Sequence, residues 1–102
     1  MRTVRIVVAA TALWASCAVA QGFDPAPGRG VAASCSACHG TNGVSATQQV
    51  PSLAGASRAD IVQKMQDFKS GKRAGTIMPQ LAKGYTDGEI ELAASWFASQ
   101  AK

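Results

Sequence analysis

Residues 34–40 read Ser-Cys-Ser-Ala-Cys-His-Gly and crowd two of the chain's three cysteines and its sole histidine into five positions. On a helix, Cys35 and Cys38 stand at i and i+3, and Cys35 and His39 at i and i+4, so all three project onto one surface. A disulfide across so short a loop constrains little of the unfolded chain, because the entropic gain grows with loop length. Redox C-x-x-C pairs of thioredoxin type belong to a βαβ setting. A structural zinc site needs four protein ligands, and no histidine or cysteine follows His39.

C-x-x-C-H is also the spacing of covalent c-type haem attachment. It predicts thioether bonds from Cys35 and Cys38 to one edge of a porphyrin, with the His39 imidazole aimed at the iron. One haem c, with its iron, is therefore the expected cofactor. Redox-thiol and metal-site readings remain as alternatives.

The surplus cysteine, Cys17, lies in a different kind of segment. Arg2 and Arg5 precede fifteen uncharged residues that end in Ala18-Val19-Ala20. This order of parts predicts a secretory signal at residues 1–20, cleaved after Ala20 and taking Cys17 with it. An uncleaved anchor is the alternative, but a spanning helix needs roughly 18 or more apolar residues. A lipidation site at Cys17 is a further alternative, with Trp14 in place of the usual Leu. The expectation is export to the periplasm of a single domain, residues 21–102, with no integral membrane segment in the mature chain. That domain keeps eight basic and six acidic residues, a formal charge of +2. No basic run is interleaved with aromatics, so nothing points to nucleic acid.

A domain this small has trouble burying enough apolar surface unaided, and its punctuation predicts helices joined by long loops. Pro25 and Pro27 lead into a first helix ending near Cys38. The segment 40–56, with three glycines and Pro51, reads as a loop. Ser57 and Asp60 form a loose capping box for a second helix with Ile61, Met65 and Phe68 along one face, stopped by Gly71. Residues 71–85, broken by Gly75, Pro79 and Gly84, read as another loop. Thr86 and Glu89 form a full capping box, with Tyr85 and Ile90 as its staple. The helix it opens places Ile90, Ala93, Ala94 and Phe97 on one side, beside Leu92 and Trp96. No stretch alternates with period two, so the fold class is all-α, three main helices and long loops wrapped around one haem. Structureless loops of such length are usually functional.

Unless the iron is to bind a small ligand, the candidates for its second axial position are methionines, since no other histidine exists. Met78, in a Gly-rich stretch before Pro79, is the first choice. The proline ring is expected to hold the backbone away from helical turns and direct the thioether inward. Met65 in the apolar row of the second helix is the alternative, as is an open position. His/Met ligation raises the reduction potential and suits one-electron carriage. Pro51 and Leu53 are expected to line the histidine side, with a backbone carbonyl of that loop accepting the imidazole N–H. Gly30 either lets the first helix approach the last near Trp96 or Phe97, or is a plain turn residue.

Cys35-Ser36-Ala37-Cys38-His39-Gly40, Pro51-Ser52-Leu53-Ala54-Gly55, Ile77-Met78-Pro79 and the closing amphipathic helix together resemble a class I cytochrome c. Residues 61–100 look like the cytochrome subunit of flavocytochrome c sulfide dehydrogenase, in which the haem protein accepts electrons from a separate flavoprotein that oxidises sulfide. The resemblance implies Cys35 and Cys38 as thioether sites, His39 and Met78 as axial ligands, and Tyr85 near the haem edge. Some members carry two haem units, whereas this chain has one attachment motif. The implied role is an electron-transfer subunit, itself non-catalytic, that serves a flavoprotein dehydrogenase and passes electrons to an acceptor such as another cytochrome or a terminal oxidase. A diffusible shuttle, with Lys69, Lys72, Arg73 and Lys83 as a basic docking rim, is the alternative. A gas sensor or peroxidase with an exchangeable sixth ligand is a third.

Overall fold

The computed structural model describes residues 26–102, and all its regular elements are helical. The expected signal at residues 1–20 lies outside the described residues. Four α-helices follow in order: α1 (Ala26–His39), α2 (Arg58–Ser70), α3 (Met78–Lys83) and α4 (Asp87–Ala98), with a 3-10 turn at Thr41–Gly43.

Local chemistry sets most of the helix ends. Ser57 Oγ accepts the Asp60 N–H at the start of α2, and Gly71, at φ 82°, donates its N–H to Phe68 O at the end. A left-handed C-terminal residue is what glycine supplies at no steric expense. At α4, Thr86 Oγ1 accepts from Glu89 N while the Glu89 carboxylate accepts from Thr86 N, so both halves of the box are made.

The helix α3 corrects the expectation of a loop through residues 71–85. Pro79 starts helical turns rather than preventing them, because the first turn of a helix leaves its N–H groups unpaired and wants the φ that proline already has. The glycines at 75 and 84 only bracket the short helix.

α4 packs against both α1 and α2, and α3 against α2. Ala32, Ile61, Ala93, Ala94 and Phe97 form the buried cluster, with Val31, Cys35, Leu53, Ala56, Val62, Met65 and Trp96 packed on it. At the α1–α4 crossing the close approach belongs to Gly28, not Gly30. A Cβ on Gly28 would run into the Leu92 carbonyl and lie 3.1 Å from Trp96 Cβ, whereas at Gly30 nothing lies within 4 Å. Arg29 covers the outer face of Trp96, 5.7 Å from the ring centre.

Candidate functional site

The last turn of α1 delivers Cys35, Cys38 and His39 together. Cys35 is half-buried against the core and Cys38 is exposed, and both are free thiols. Burial pushes the Cys35 thiol above its ordinary value, with the nearby Cys38 adding to the rise and the Ser34 hydroxyl opposing it. Among the described residues no group of three or more His, Cys, Asp or Glu side chains is placed to hold a metal ion.

His39 is buried, and its Nδ1 lies 2.7 Å from Pro51 O. A carbonyl only accepts, so Nδ1 carries the proton and donates it. Nε2 is then the nitrogen with a free lone pair, and the ring cannot turn without breaking the bond. The expected carbonyl acceptor in the 51–53 loop is thus Pro51.

Gly40 and Gly43 bring that loop across. Gly40 (φ 87°) ends the helical path with its N–H on Ser36 O, and an added Cβ there would strike Val44 O. Gly43 (φ 82°) accepts at its carbonyl from Leu53 N and Ala54 N at 2.7 and 3.1 Å. A Cβ on Gly43 would sit 2.7 Å from Phe97 Cδ1. The 51–54 segment is therefore stitched beside the histidine by backbone bonds. The Asn42-Gly43 dipeptide is a turn signal that marks this place in the sequence.

Met78 opens α3 and is half-buried; the exposed Ile77 precedes it. Met65 instead packs on the core cluster. Tyr85 reaches back to α1, where its hydroxyl meets Ser34 Oγ at 2.5 Å. Lys69, expected on a basic rim, is turned inward, with Nζ donating to Tyr85 O at 2.7 Å and to Asp87 Oδ1 at 3.1 Å. Lys72, Arg73 and Lys83 are exposed. Two concavities, of about 320 and 160 Å³, lie elsewhere, at Val44–Ala56–Lys102 and at Arg29–Trp96, and neither is lined by His39 or Met78.

These donors suit an iron porphyrin. Two unpaired thiols sit one turn apart on a single helix, the imidazole beside them is fixed in the tautomer that leaves Nε2 for a metal, and a thioether is available from a separate segment.

Comparison with known proteins points to the same cofactor. The family model for cytochrome c matches residues 25–100. The cytochrome subunit of sulfide dehydrogenase from Chlorobaculum tepidum is 45% identical over 69 residues, covering 68% of this chain and 62% of that protein. Cytochrome c-554(548) from Halomonas halodenitrificans is 31% identical over 80 residues, covering 76% of this chain and 96% of the relative. Among solved structures, thiosulfate dehydrogenase from Marichromatium purpuratum superposes with a TM-score of 0.73 at 28% identity, over 79% of this chain and 20% of that one. The chain therefore spans a little under two thirds of the sulfide dehydrogenase subunit and a fifth of the solved structure. With its C-x-x-C-H turn, its all-helical fold and a match along three quarters of its length, the chain belongs to the cytochrome c family of haem-bearing electron carriers.

Proposed function

We propose that this chain is a periplasmic monohaem cytochrome that accepts single electrons from a flavoprotein sulfide dehydrogenase. In this reading Cys35 and Cys38 would hold the porphyrin as thioethers, His39 and Met78 would ligate its iron, and residues 21–102 would form the exported domain. The carrying observation for the haem site is the 2.7 Å bond from His39 Nδ1 to Pro51 O. It fixes the ring and raises the basicity of the remaining nitrogen, as partners of ligating histidines do. For the partner, the support is the 45% identity to a sulfide dehydrogenase cytochrome subunit.

Bound haem supplies a one-electron couple between ferrous and ferric iron. The protein's task is to hold its ligands still. His39 is kept from rotating by Pro51, and the Gly43 carbonyl anchors the loop that carries Pro51. A thioether from Met78 favours the ferrous state and raises the potential. With His39 and Met78 both available to hold the iron, a bound haem would carry electrons in preference to taking up gas. Met65 is half-buried with its side chain packed against the core cluster, which favours Met78 as the sulfur donor.

A diffusible shuttle is the second reading, supported by the relative from Halomonas halodenitrificans that is matched along 96% of its length. Lys72, Arg73 and Lys83, exposed near α3, are available to steer acidic partners at low salt. Gel filtration of the native protein, monitored for flavin as well as haem, separates the two. Co-eluting flavin that is reduced by sulfide and passes its electrons to the haem supports the subunit; a flavin-free monomer ends that reading. Met78→Ala should abolish the sulfur-to-iron charge-transfer band and open the reduced protein to carbon monoxide. Loss of the band in Met65→Ala instead would move the ligand.

A further inference from the structure

We propose that Tyr85 is a positioning residue, whose phenol, bound to Ser34, latches the segment carrying Met78 to the thiol-bearing end of α1. The inference rests on the His39/Met78 ligation proposed above.

Cys35, Cys38 and His39 stand on α1, which packs on α4, while Met78 stands on α3, which packs on α2. The two ligand-bearing elements thus belong to different packing pairs. On its N-terminal side Met78 is preceded by an exposed segment, residues 71–77, tied to α2 through Arg73, and Ile77 provides no side-chain cap to α3. On the C-terminal side the chain is gripped at Tyr85, the residue before the Thr86 cap. Its carbonyl takes the Lys69 ammonium from α2, and its hydroxyl meets Ser34 Oγ, adjacent to Cys35. Ser34 already points its own hydrogen at Val31 O, 3.0 Å away. The phenol is therefore the donor and Ser34 Oγ the acceptor. This one bond joins the helix of the cysteines to the segment of the methionine across 51 positions of sequence. Releasing it would free residues 78–85 from α1, leaving them held by α2 and by the chain's continuation into the Thr86 cap of α4, with the Met78 sulfur freer to leave an iron it ligates.

The test is the affinity of the ferric, haem-loaded protein for added imidazole, which competes with the Met78 sulfur. Tyr85→Phe keeps the ring and removes the donor; Ser34→Ala removes the acceptor. Each should raise imidazole affinity about two- to tenfold, the range of one net hydrogen bond, and the double variant no further than the larger single effect. The reduction potential should fall in parallel. Ser57→Ala, which removes the remote cap of α2, should lower thermal stability yet leave imidazole affinity unchanged, separating a latch from general loosening. Unchanged affinity in Tyr85→Phe, or additive effects of the two substitutions, overturns the latch while a retained charge-transfer band leaves the ligation reading standing. A wild-type protein without that band overturns both.

Discussion

Replacing Gly28 and Gly30 separately by alanine tests the crossing that seats the motif helix. Both glycines lie in α1, two residues apart, and each exchange gains about 0.5–1 kcal/mol in helix propensity. At position 30 that gain is the whole effect, since an added methyl meets nothing within 4 Å. At position 28 the methyl collides with the Leu92 carbonyl, its carbon 2.7 Å away, and presses on Trp96 Cβ at 3.1 Å. A backbone group cannot swing aside as a side-chain tip does, so α1 and α4 must separate. Overpacking of this kind costs about 1–3 kcal/mol. The upper figure applies where backbone is struck, which leaves a net loss of about 2 kcal/mol after the propensity gain. For a domain of this size 1 kcal/mol moves the midpoint by about 4–8 °C. Calorimetry of the haem-loaded protein should therefore show Gly30→Ala melting a few degrees higher and Gly28→Ala about 8–16 °C lower. Equal rises in the two variants would refute a backbone-to-backbone contact between α1 and α4 at this point.

Thr86→Ala removes the acceptor of the Glu89 N–H and should cost about 1 kcal/mol, read by urea unfolding as a lower midpoint at unchanged slope. Hydrogen bonds from Gln66 and Lys69, with the Lys69 charge, hold Asp87 below the usual carboxylate value. Its lowered folded value means that the contribution is present above the unfolded pKa, about 3.9, and is lost as pH falls through the folded one. Asp87→Asn should thus flatten the fall of thermal stability below about pH 4, and an acid limb identical to wild type would exclude the contribution.

Features written in neighbouring residues were legible in the sequence. The caps at Ser57 and Thr86 each pair a side chain with a backbone N–H three residues on, the Gly71 cap needs only a left-handed φ and a backbone bond three residues back, and all three form as the residue types require. The C-x-x-C-H turn, and the need for a carbonyl near His39, follow from the same locality. Pro79 was ambiguous because proline both breaks a helix interior and favours a first turn; nothing local says which side of it the helix lies on. Choosing Gly28 over Gly30 depends on where α4 crosses α1, which is a tertiary fact. Lys69 reads as a free surface charge, yet its long stem folds back so that the ammonium is bound by Tyr85 O and Asp87. The pairing of Ser34 with Tyr85 left no trace, because hydroxyls carry no periodic signal and the partners are far apart in the chain.

The composition of the core shows why such a chain depends on its haem. Of the eight buried hydrophobic residues among those described, five are alanine, and Phe97 is the one large side chain that is fully buried. Burying a methyl contributes about 0.8 kcal/mol, against about 1.5–3 kcal/mol for a large side chain. Small residues at Gly28, Ala32, Ala93 and Ala94 let α1 and α4 approach closely, but they bring little apolar area to the contact. Larger apolar groups, Val44, Ile77 and Leu81, face outward instead, at 50%, 62% and 46% exposure. Among the described residues no disulfide adds to this core, since Cys35 and Cys38 are unbridged. A porphyrin attached at those two thiols would add the apolar area that the alanine-rich interface does not supply.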